Sequence, residues 1–312
     1  MSAYLNARLV EIIINKPRLI RYLISIYRTI KIIRAERPDV IYAQNPSIIL
    51  AITALLVGYF SRKTVIIDAH NSGLIPLEGK HPLLTSIFLW INCRADRVIV
   101  TNRFLADEVS KHGGKAFVFP DPIPEIECPE GKNQFLIHEK KTRTYNLVMV
   151  CSWSDDEPIL EFFEAANRFN DDITVWITGK GTPYIERNAL KVPENIQLTG
   201  FLSQKDYDEL LCQSDAVIVL TRRDNCLVCG AYEAVSVEKP ILLSAKKVLQ
   251  DHFYKGTVFT DNTPESISKS ITSLVQQKDR LQEEISALRQ ELIDESVKDK
   301  TKLLRISENL RK

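Results

Sequence analysis

The chain has 312 residues, about twice the ~150 residues of a typical domain, so its length predicts two domains. Hydrophobic residues make up 45% of the sequence and charged residues 26%, which are ordinary values for a globular protein and exclude a largely disordered chain. Lys and Arg number 41 against 40 Asp and Glu. The resulting formal charge of +1 excludes a protein that holds nucleic acid through overall positive charge.

Positive charge is concentrated at the start of the chain. Residues 1–40 carry eight Lys or Arg and three Asp or Glu, an excess of five positive charges. The apolar run Leu9–Ile14 is short and interrupted by Glu11, and no cleavage site follows it, so we predict no signal peptide. The longest apolar stretch, Ile48–Phe60, is shorter than the ~20 residues that span a bilayer. We therefore expect a cytoplasmic protein.

Helices and strands alternate through the first half. The helix Pro17–Arg37 is basic and amphipathic, and it has two open interpretations: it covers the core of the domain, or it lies on a membrane surface. The elements that follow are, in order, a strand at Asp39–Ala43, a helix at Pro46–Phe60, a strand at Lys63–Asp68, a helix at Pro82–Ala95, a strand at Arg97–Thr101, a helix at Arg103–His112 and a strand at Ala116–Phe119.

A polar segment separates this half from a second one with the same rhythm. The predicted elements there are strands at Tyr145–Cys151, Ile173–Thr178, Ile196–Thr199, Ala216–Leu220 and Pro240–Ser244 and helices at Pro158–Phe169, Gln204–Gln213 and Cys229–Ser236. Short apolar strands that alternate with helices are typical of an α/β protein with two doubly wound, Rossmann-like parallel sheets. We expect a partial N-terminal domain at 1–122, a linker at 123–143, a second domain at 144–275 and a C-terminal helix at 276–312.

The C-terminal helix and the cysteines add two further expectations. Leu281, Ile285, Leu288 and Leu292 are spaced by four, three and four residues, which predicts an amphipathic helix that either docks on a domain or forms a coiled coil. The six cysteines have neither the density nor the spacing of a disulfide scaffold or a zinc site, so we expect reduced thiols.

The stretch from Leu220 to Ser244 is the most informative for function. A predicted strand leads through a polar loop into a helix, and the amides at the start of such a helix bind a diphosphate well. Arg222 and Arg223 add positive charge in the loop, and Glu233 lies about one turn into the helix, where a carboxylate can accept hydrogen bonds from sugar hydroxyls.

This stretch resembles the donor-binding signature of family-4-like glycosyltransferases with the GT-B fold, an acid followed after seven residues by Glu-Ala and then Pro-Val/Ile. Glu233-Ala234 and Pro240-Ile241 match the second part of the signature, whereas Asn225, with Asp224 beside it, stands where the first acid is expected. The resemblance implies a nucleotide-sugar donor in the second domain. It also implies donor-binding roles for Arg222, Arg223, Asn225, Gly230 and Glu233 and a catalytic role for Asp224.

Further segments extend the resemblance over most of the chain. The run Cys151–Glu157 stands where relatives hold the donor diphosphate, and it is locally similar to the β-mannosyltransferases that act on chitobiosyl-diphosphodolichol with GDP-mannose. By this likeness Ser152 contacts the donor, as do Gly179, Lys180 and Gly181 after the next strand, although glycine there also suits a turn. His70, after a strand of the first domain, is the candidate acid–base residue on the acceptor side, against a purely structural role.

The resemblance implies a hexosyltransferase that moves a sugar, with mannose as one candidate, from a nucleotide diphosphate sugar to a lipid-linked or polysaccharide acceptor. No Asp-x-Asp motif ends a strand, so we expect no metal and no other cofactor. Relatives begin with a strand and a glycine-rich turn that this sequence does not show, so we expect an incomplete first domain or a partner chain. A non-catalytic binding subunit and a GT-B sugar-nucleotide epimerase remain alternatives.

Overall fold

A computed structural model describes residues 7–45, 47–128, 145–170 and 172–310. The chain divides into two compact units. Unit 1 comprises Met1–Asp121 together with Asp294–Lys312, and unit 2 comprises Pro122–Ile293. Each unit is built around its own parallel sheet, so the prediction of an α/β fold with two Rossmann-like sheets is confirmed.

Unit 1 contains a parallel sheet with the strand order β1-β2-β3-β4. Its elements are α1 (Arg18–Glu36), β1 (Val40–Asn45), α2 (Ile48–Ser61), β2 (Thr64–Ala69), α3 (Asn71–Leu74), a 3-10 turn (Pro76–Gly79), α4 (Pro82–Asn92), β3 (Arg97–Val100), α5 (Arg103–Lys111) and β4 (Ala116–Val118). One sheet face packs against α2, α4 and α5. The other packs against Leu303 in the last part of α12 (Lys278–Leu310).

The first helix does not form part of the core of unit 1. No residue of α1 is buried, and Leu19, Ile20, Leu23 and Tyr27 are exposed. Only Ile33, close to its end, packs on the core that α2 shares with the sheet. Of the two interpretations of this basic helix, the one that makes it a core helix is wrong. None of the described helices is both long and apolar enough to cross a bilayer.

Unit 2 contains a parallel sheet with the strand order β10-β9-β8-β5-β6-β7. Its elements are β5 (Tyr145–Met149), α6 (Ile159–Ala166), β6 (Ile173–Thr178), α7 (Thr182–Arg187), β7 (Ile196–Gly200), α8 (Gln204–Gln213), β8 (Ala216–Val219), α9 (Cys229–Ser236), β9 (Ile241–Ser244), α10 (Lys247–His252), β10 (Thr257–Thr260), α11 (Pro264–Gln276) and the first part of α12. The sequence did not predict α7, α10 or β10, which are short.

Helices cover both faces of the second sheet. One core lies between the sheet and α6 and α11, and the other between the sheet and α8, α9 and α10. The apolar residues spaced along α12, from Leu281 to Leu292, are buried in these cores. Their spacing therefore reflects docking on unit 2, as the first of the two interpretations predicted, and not a coiled coil.

The cysteines differ from expectation at one pair. Cys128 and Cys212 form a disulfide with a Cα–Cα distance of 5.6 Å, although they are 84 residues apart in the sequence. Cys212 is in α8, and Cys128 is in the segment that enters unit 2. The sequence contains no signal for this pair, because the fold alone brings two distant positions within bridging distance.

Because the disulfide closes a long loop, it constrains the unfolded chain more than the folded one. We expect Cys128→Ser to lower the free energy of unfolding by about 4 kcal/mol. Urea titration of the oxidised protein measures this, and Cys226→Ser, which removes a thiol outside the disulfide, serves as the control. If the oxidised parent and Cys128→Ser unfold at the same urea concentration, the disulfide does not stabilise the fold.

A buried histidine makes stability depend on pH. His252 lies among the rings of Tyr232 and Phe253, and among the described residues its Nε2 has no hydrogen-bond partner. Burial lowers the pKa of His252 to about 4. The unfolded chain, in which the imidazole has its ordinary pKa near 6.5, therefore binds a proton that the folded chain does not in the range between about pH 6.5 and 4.

We expect the free energy of unfolding to fall as the pH is lowered from about 6.5 to 4, with His252 accounting for about 3 kcal/mol of the loss. His252→Phe removes the titrating group and should flatten that part of the profile, as urea titrations at successive pH values would show. His112→Gln, at an exposed histidine, serves as the control and should keep the parent profile. An unchanged slope in His252→Phe would contradict the assignment.

Candidate functional site

The strand order of unit 2 changes direction between β5 and β8. These two strands are paired in parallel, and the chain proceeds from β5 to β6 and β7 on one side and from β8 to β9 and β10 on the other. The loops that follow β5 and β8 leave at the carboxyl edge of the sheet. In doubly wound sheets this change of direction opens a crevice in which ligands bind. The two loops that carry predicted donor-binding residues therefore lie at this edge of the sheet.

Asp156 fixes these two loops to each other. It follows β5, and its backbone oxygen accepts a hydrogen bond of 2.7 Å from the amide of Arg222, which follows β8. Its carboxylate accepts a hydrogen bond of 3.3 Å from the Thr221 hydroxyl and lies 3.1 Å from Nε of Arg223. The crevice between β5 and β8 is therefore bordered by two loops that cannot move independently.

The loop after β5 is organised around Glu157. Its carboxylate accepts hydrogen bonds of 2.9 Å from the amides of Ser152 and Ser154 and one of 3.1 Å from the Ser152 hydroxyl. The Cys151 thiol also donates to it, at 3.3 Å. Burial, together with the charge of Glu157, raises the pKa of this thiol far above its ordinary value, so Cys151 stays protonated. The polar groups of Ser152 thus lie at the crevice but already hydrogen-bond to Glu157.

A buried tryptophan explains the glycines that follow β6. The Trp153 indole donates a hydrogen bond of 2.8 Å to the Thr178 carbonyl. A Cβ on Gly181 would lie 2.4 Å from the Trp153 ring, and one on Gly179 would lie 2.3 Å from the Cys151 carbonyl oxygen. Gly179 also has a φ of +86°, a left-handed conformation that glycine adopts without strain. These two glycines therefore have a packing role, and Lys180 between them is exposed.

The charged residues of the loop after β8 are paired with neighbours. Arg222 donates two hydrogen bonds of 2.8 Å to the carboxylate of Glu161, while Arg223 pairs with Asp156. Asp224 accepts a hydrogen bond of 2.7 Å from Lys246, and its side chain is largely exposed. The two arginines and the predicted catalytic aspartate thus lie together on the β8 side of the crevice, with their charges compensated.

The helix α9 begins against the sheet. A Cβ on Gly230 would lie 3.0 Å from Val150 and 3.1 Å from Val219, so glycine allows the first turn to approach the ends of β5 and β8. The N-cap residue is Val228, which has no side-chain acceptor for the first-turn amides. Asn225 lies in the loop just before, partly buried. The positive end of the helix dipole is therefore at the crevice, where it favours an anion.

Glu233 is held by a residue that the sequence analysis did not identify. It lies on α9, and the Tyr207 hydroxyl of α8 donates a hydrogen bond to its carboxylate. Burial, reinforced by the charge of Glu233, raises the pKa of Tyr207 above its ordinary value, so the phenol stays protonated and remains a donor. The hydrogen bond orients the Glu233 carboxylate and engages one of its oxygens.

Unit 1 has its own polar group at the carboxyl end of β2. His70 follows this strand, and its Nε2 lies 3.2 Å from the side-chain amide nitrogen of Gln44. Burial raises the pKa of the neighbouring Asp68, against the opposing effect of the His70 charge, and Asp121 raises it further.

The structure thus groups the predicted donor residues at adjacent strand ends of unit 2 and places His70 in unit 1. Within the described ranges, no group of His, Cys, Asp or Glu is arranged to hold a metal ion. The sequence analysis did not identify Asp156, Trp153 or Tyr207. The sequence contains one signal that could have identified Tyr207. It lies three and four residues before Leu210 and Leu211, which are buried, so helical spacing places its ring on the inner face of α8.

Comparisons with known proteins identify the family of this chain. The model of the family described as Glycosyl transferases group 1 matches residues 132–293, which is about half of the chain, and that of Glycosyltransferase Family 4 matches residues 5–124. No curated protein matches the chain by sequence.

Solved structures with the same fold are distant in sequence. HepE (Alr3699) of Anabaena, crystallised with UDP and glucose, is 13% identical with a TM-score of 0.71, over 90% of this chain and 80% of HepE. Sucrose-phosphate synthase of Thermosynechococcus elongatus is 12% identical with a TM-score of 0.71, over 95% and 80% of the two chains. A putative UDP-N-acetylglucosamine 2-epimerase of Listeria monocytogenes is 15% identical with a TM-score of 0.60, over 92% and 80%. The family models and the shared fold show that this chain belongs to the group 1 glycosyl transferases and has the GT-B fold.

Proposed function

We propose that the chain transfers a hexose from a nucleotide diphosphate sugar to a lipid-linked or polysaccharide acceptor, without a metal ion and at the cytoplasmic face of a membrane. The observation that carries this proposal is the position of Glu233. Its carboxylate is oriented by Tyr207 on a helix that starts at the crevice between β5 and β8. A carboxylate held in this way accepts hydrogen bonds from vicinal hydroxyl groups, which ribose and hexoses present.

The diphosphate of the donor binds, in this proposal, at the start of α9. The helix dipole and the amides near Gly230 favour its negative charge and stabilise it further as the sugar departs. Arg222 and Arg223 lie in the adjoining loop, and an arginine has more N–H donors than its ion pair uses, so each can also contact a phosphate. Asn225 and Asp224 complete this side of the crevice.

The remaining donor contacts come from the neighbouring strand ends. Ser152 follows β5, and the segment Gly179–Gly181 follows β6, the strand next to β5. Since Lys180 is exposed there, its ammonium group is accessible to a phosphate or a base. In this proposal these residues contact the part of the nucleotide that Glu233 and α9 do not reach.

On the acceptor side we assign His70 the role of general base. It follows β2, and a neutral imidazole can accept a proton from an attacking hydroxyl group. The basic helix α1, with its exposed apolar residues, brings the enzyme to a membrane that carries a lipid-linked acceptor. Mannose is the proposed sugar because of the local likeness around Ser152.

The first test is thermal unfolding with UDP, GDP, ADP and dTDP, because a ligand that binds only the native state raises the melting temperature. We expect a shift with one of them: GDP supports mannose as the sugar, and UDP supports a UDP-sugar. Glu233→Gln should weaken the binding of that nucleotide about tenfold or more, since it removes hydrogen bonds to a charged acceptor. Glu283→Gln, at an exposed carboxylate of α12, is the control. No shift with any nucleotide would refute a donor site.

Turnover is then measured with the matching sugar nucleotide and an acceptor, with and without EDTA. Release of the nucleoside diphosphate that is unaffected by EDTA is the expected result. Binding without turnover would favour the non-catalytic subunit, and conversion of the sugar nucleotide without an acceptor would favour the epimerase.

The variant Tyr207→Phe removes the hydrogen bond that orients Glu233 but leaves the charge of Glu233 unchanged. Since the hydroxyl only positions the carboxylate, we expect nucleotide binding to weaken about fivefold, and the loss should be smaller for a 2′,3′-dideoxynucleotide. Tyr254→Phe is a matched control, because it also removes a tyrosine that donates to a glutamate of unit 2, at 2.7 Å from Glu291. Equal losses for both nucleotides would contradict ribose recognition by Glu233.

A further inference from the structure

Two helices of unit 1 present apolar stripes on their outer sides. Ile52, Leu56 and Tyr59 of α2 follow one another at helical spacing and are exposed, with Phe60 beside the last. Exposed Leu83, Ile87 and Trp90 make the same pattern on α4. Both helices bury their inner sides in the same core. We call the seven exposed residues the apolar face.

The aromatic residues of the apolar face are highly exposed and lie side by side with other exposed apolar residues. Tyr59 and Phe60 are 80% and 79% exposed, and Trp90 is 58% exposed. Contiguous apolar surface on a protein marks a contact with a partner or a membrane. Tyr and Trp in particular suit the boundary between hydrocarbon and water, because each combines an apolar ring with a polar group.

A basic pocket adjoins the apolar face. It has a volume of about 620 Å³, and its walls include Tyr59 and Phe60 of the apolar face and the cationic side chains of Arg62, Lys63 and Arg94. The Arg94 guanidinium lies 4.4 Å from the Trp90 ring centroid, which links the pocket to the stripe on α4. The pocket is therefore continuous with the apolar face.

Two carboxylates offset part of the charge of these three cationic side chains and leave the pocket net positive. The Asp96 carboxylate lines the pocket and accepts a hydrogen bond of 2.8 Å from the amide of Val65. The Asp39 carboxylate lies 3.6 Å from Lys63 Nζ and is 72% exposed, so solvent screens this pair. The pocket thus suits an anion.

We propose that the apolar face and the basic pocket dock unit 1 on an anionic lipid bilayer. The rings of Tyr59, Phe60 and Trp90 enter the interface, and Arg62, Lys63 and Arg94 bind headgroup phosphates. A second copy of the chain is a poorer occupant, because a symmetric contact through this face would bring identical positive pockets together. This inference rests on the membrane contact of the proposed function and extends it from α1 to α2 and α4.

Sedimentation with vesicles tests the docking surface. We expect binding to phosphatidylcholine vesicles that contain about 30% phosphatidylglycerol, and at least tenfold weaker binding to phosphatidylcholine alone. The double variants Tyr59→Ser/Phe60→Ser and Arg62→Glu/Lys63→Glu should each weaken binding at least tenfold. The control Phe201→Ser/Lys205→Glu alters an aromatic residue and a lysine of unit 2 that are 84% and 81% exposed, and should bind as the parent does.

Tryptophan fluorescence provides an independent measurement. Among the three tryptophans Trp90 is exposed, Trp153 is buried and Trp176 is partly buried. Anionic vesicles should therefore shift the emission to shorter wavelength, and brominated lipids should quench it. Trp90→Phe should lose both effects while it still sediments with the vesicles.

The outcomes separate this inference from the proposed function. The inference is overturned if the parent binds neither kind of vesicle, or if both double variants bind as the parent does while Arg21→Glu/Arg28→Glu in α1 does not. It is also overturned if light scattering shows a dimer that Tyr59→Ser/Phe60→Ser dissociates. Nucleotide binding in solution needs no vesicle, so the donor site is judged on its own whichever result is obtained.

Discussion

The candidate donor site depends on the hydrogen bonds that Asp156 makes between the loops after β5 and β8. Parallel strands bring these loops to one edge of the sheet, but they do not fix the distance between them. Asp156 does so by binding the backbone of Arg222 and the side chains of Thr221 and Arg223. Because these contacts join the two loops, α9, which follows the loop after β8, starts beside the end of β5. Because its loops are joined before a ligand arrives, such a site loses little conformational entropy when a ligand binds.

The helix α12 has two parts that pack in different hydrophobic cores. Residues from Leu281 to Leu292 are buried in unit 2, and Leu303 is buried against the sheet of unit 1. The Tyr42 hydroxyl also shares a hydrogen bond with the Ser307 hydroxyl in unit 1. Each unit therefore includes one part of α12 in its own core.

The sequence was sufficient for features that depend on local pattern. It predicted the main strands and helices, the start of α9 and the position of Glu233, because each is encoded in consecutive residues. It was insufficient where distant residues meet: Cys128 with Cys212, Tyr207 with Glu233, and Trp153 with the two glycines after β6. In α1 it failed for a different reason, since an amphipathic pattern shows that one face is apolar but not what covers it.

The two basic regions of the chain differ in how their charge is compensated, and this difference suits two kinds of anion. At the crevice of unit 2, Arg222 and Arg223 are paired with carboxylates, so their positive charge contributes little to the attraction of an anion. A ligand there must instead form hydrogen bonds of defined direction with the α9 amides and with Glu233. Such a site discriminates between ligands, as a donor site must. In unit 1, Arg62 and Arg94 border an open pocket beside exposed rings. An arrangement of this kind attracts a phosphate-rich surface with little selectivity, which agrees with the docking that we propose for unit 1, whereas the directed groups of unit 2 agree with the proposed donor site.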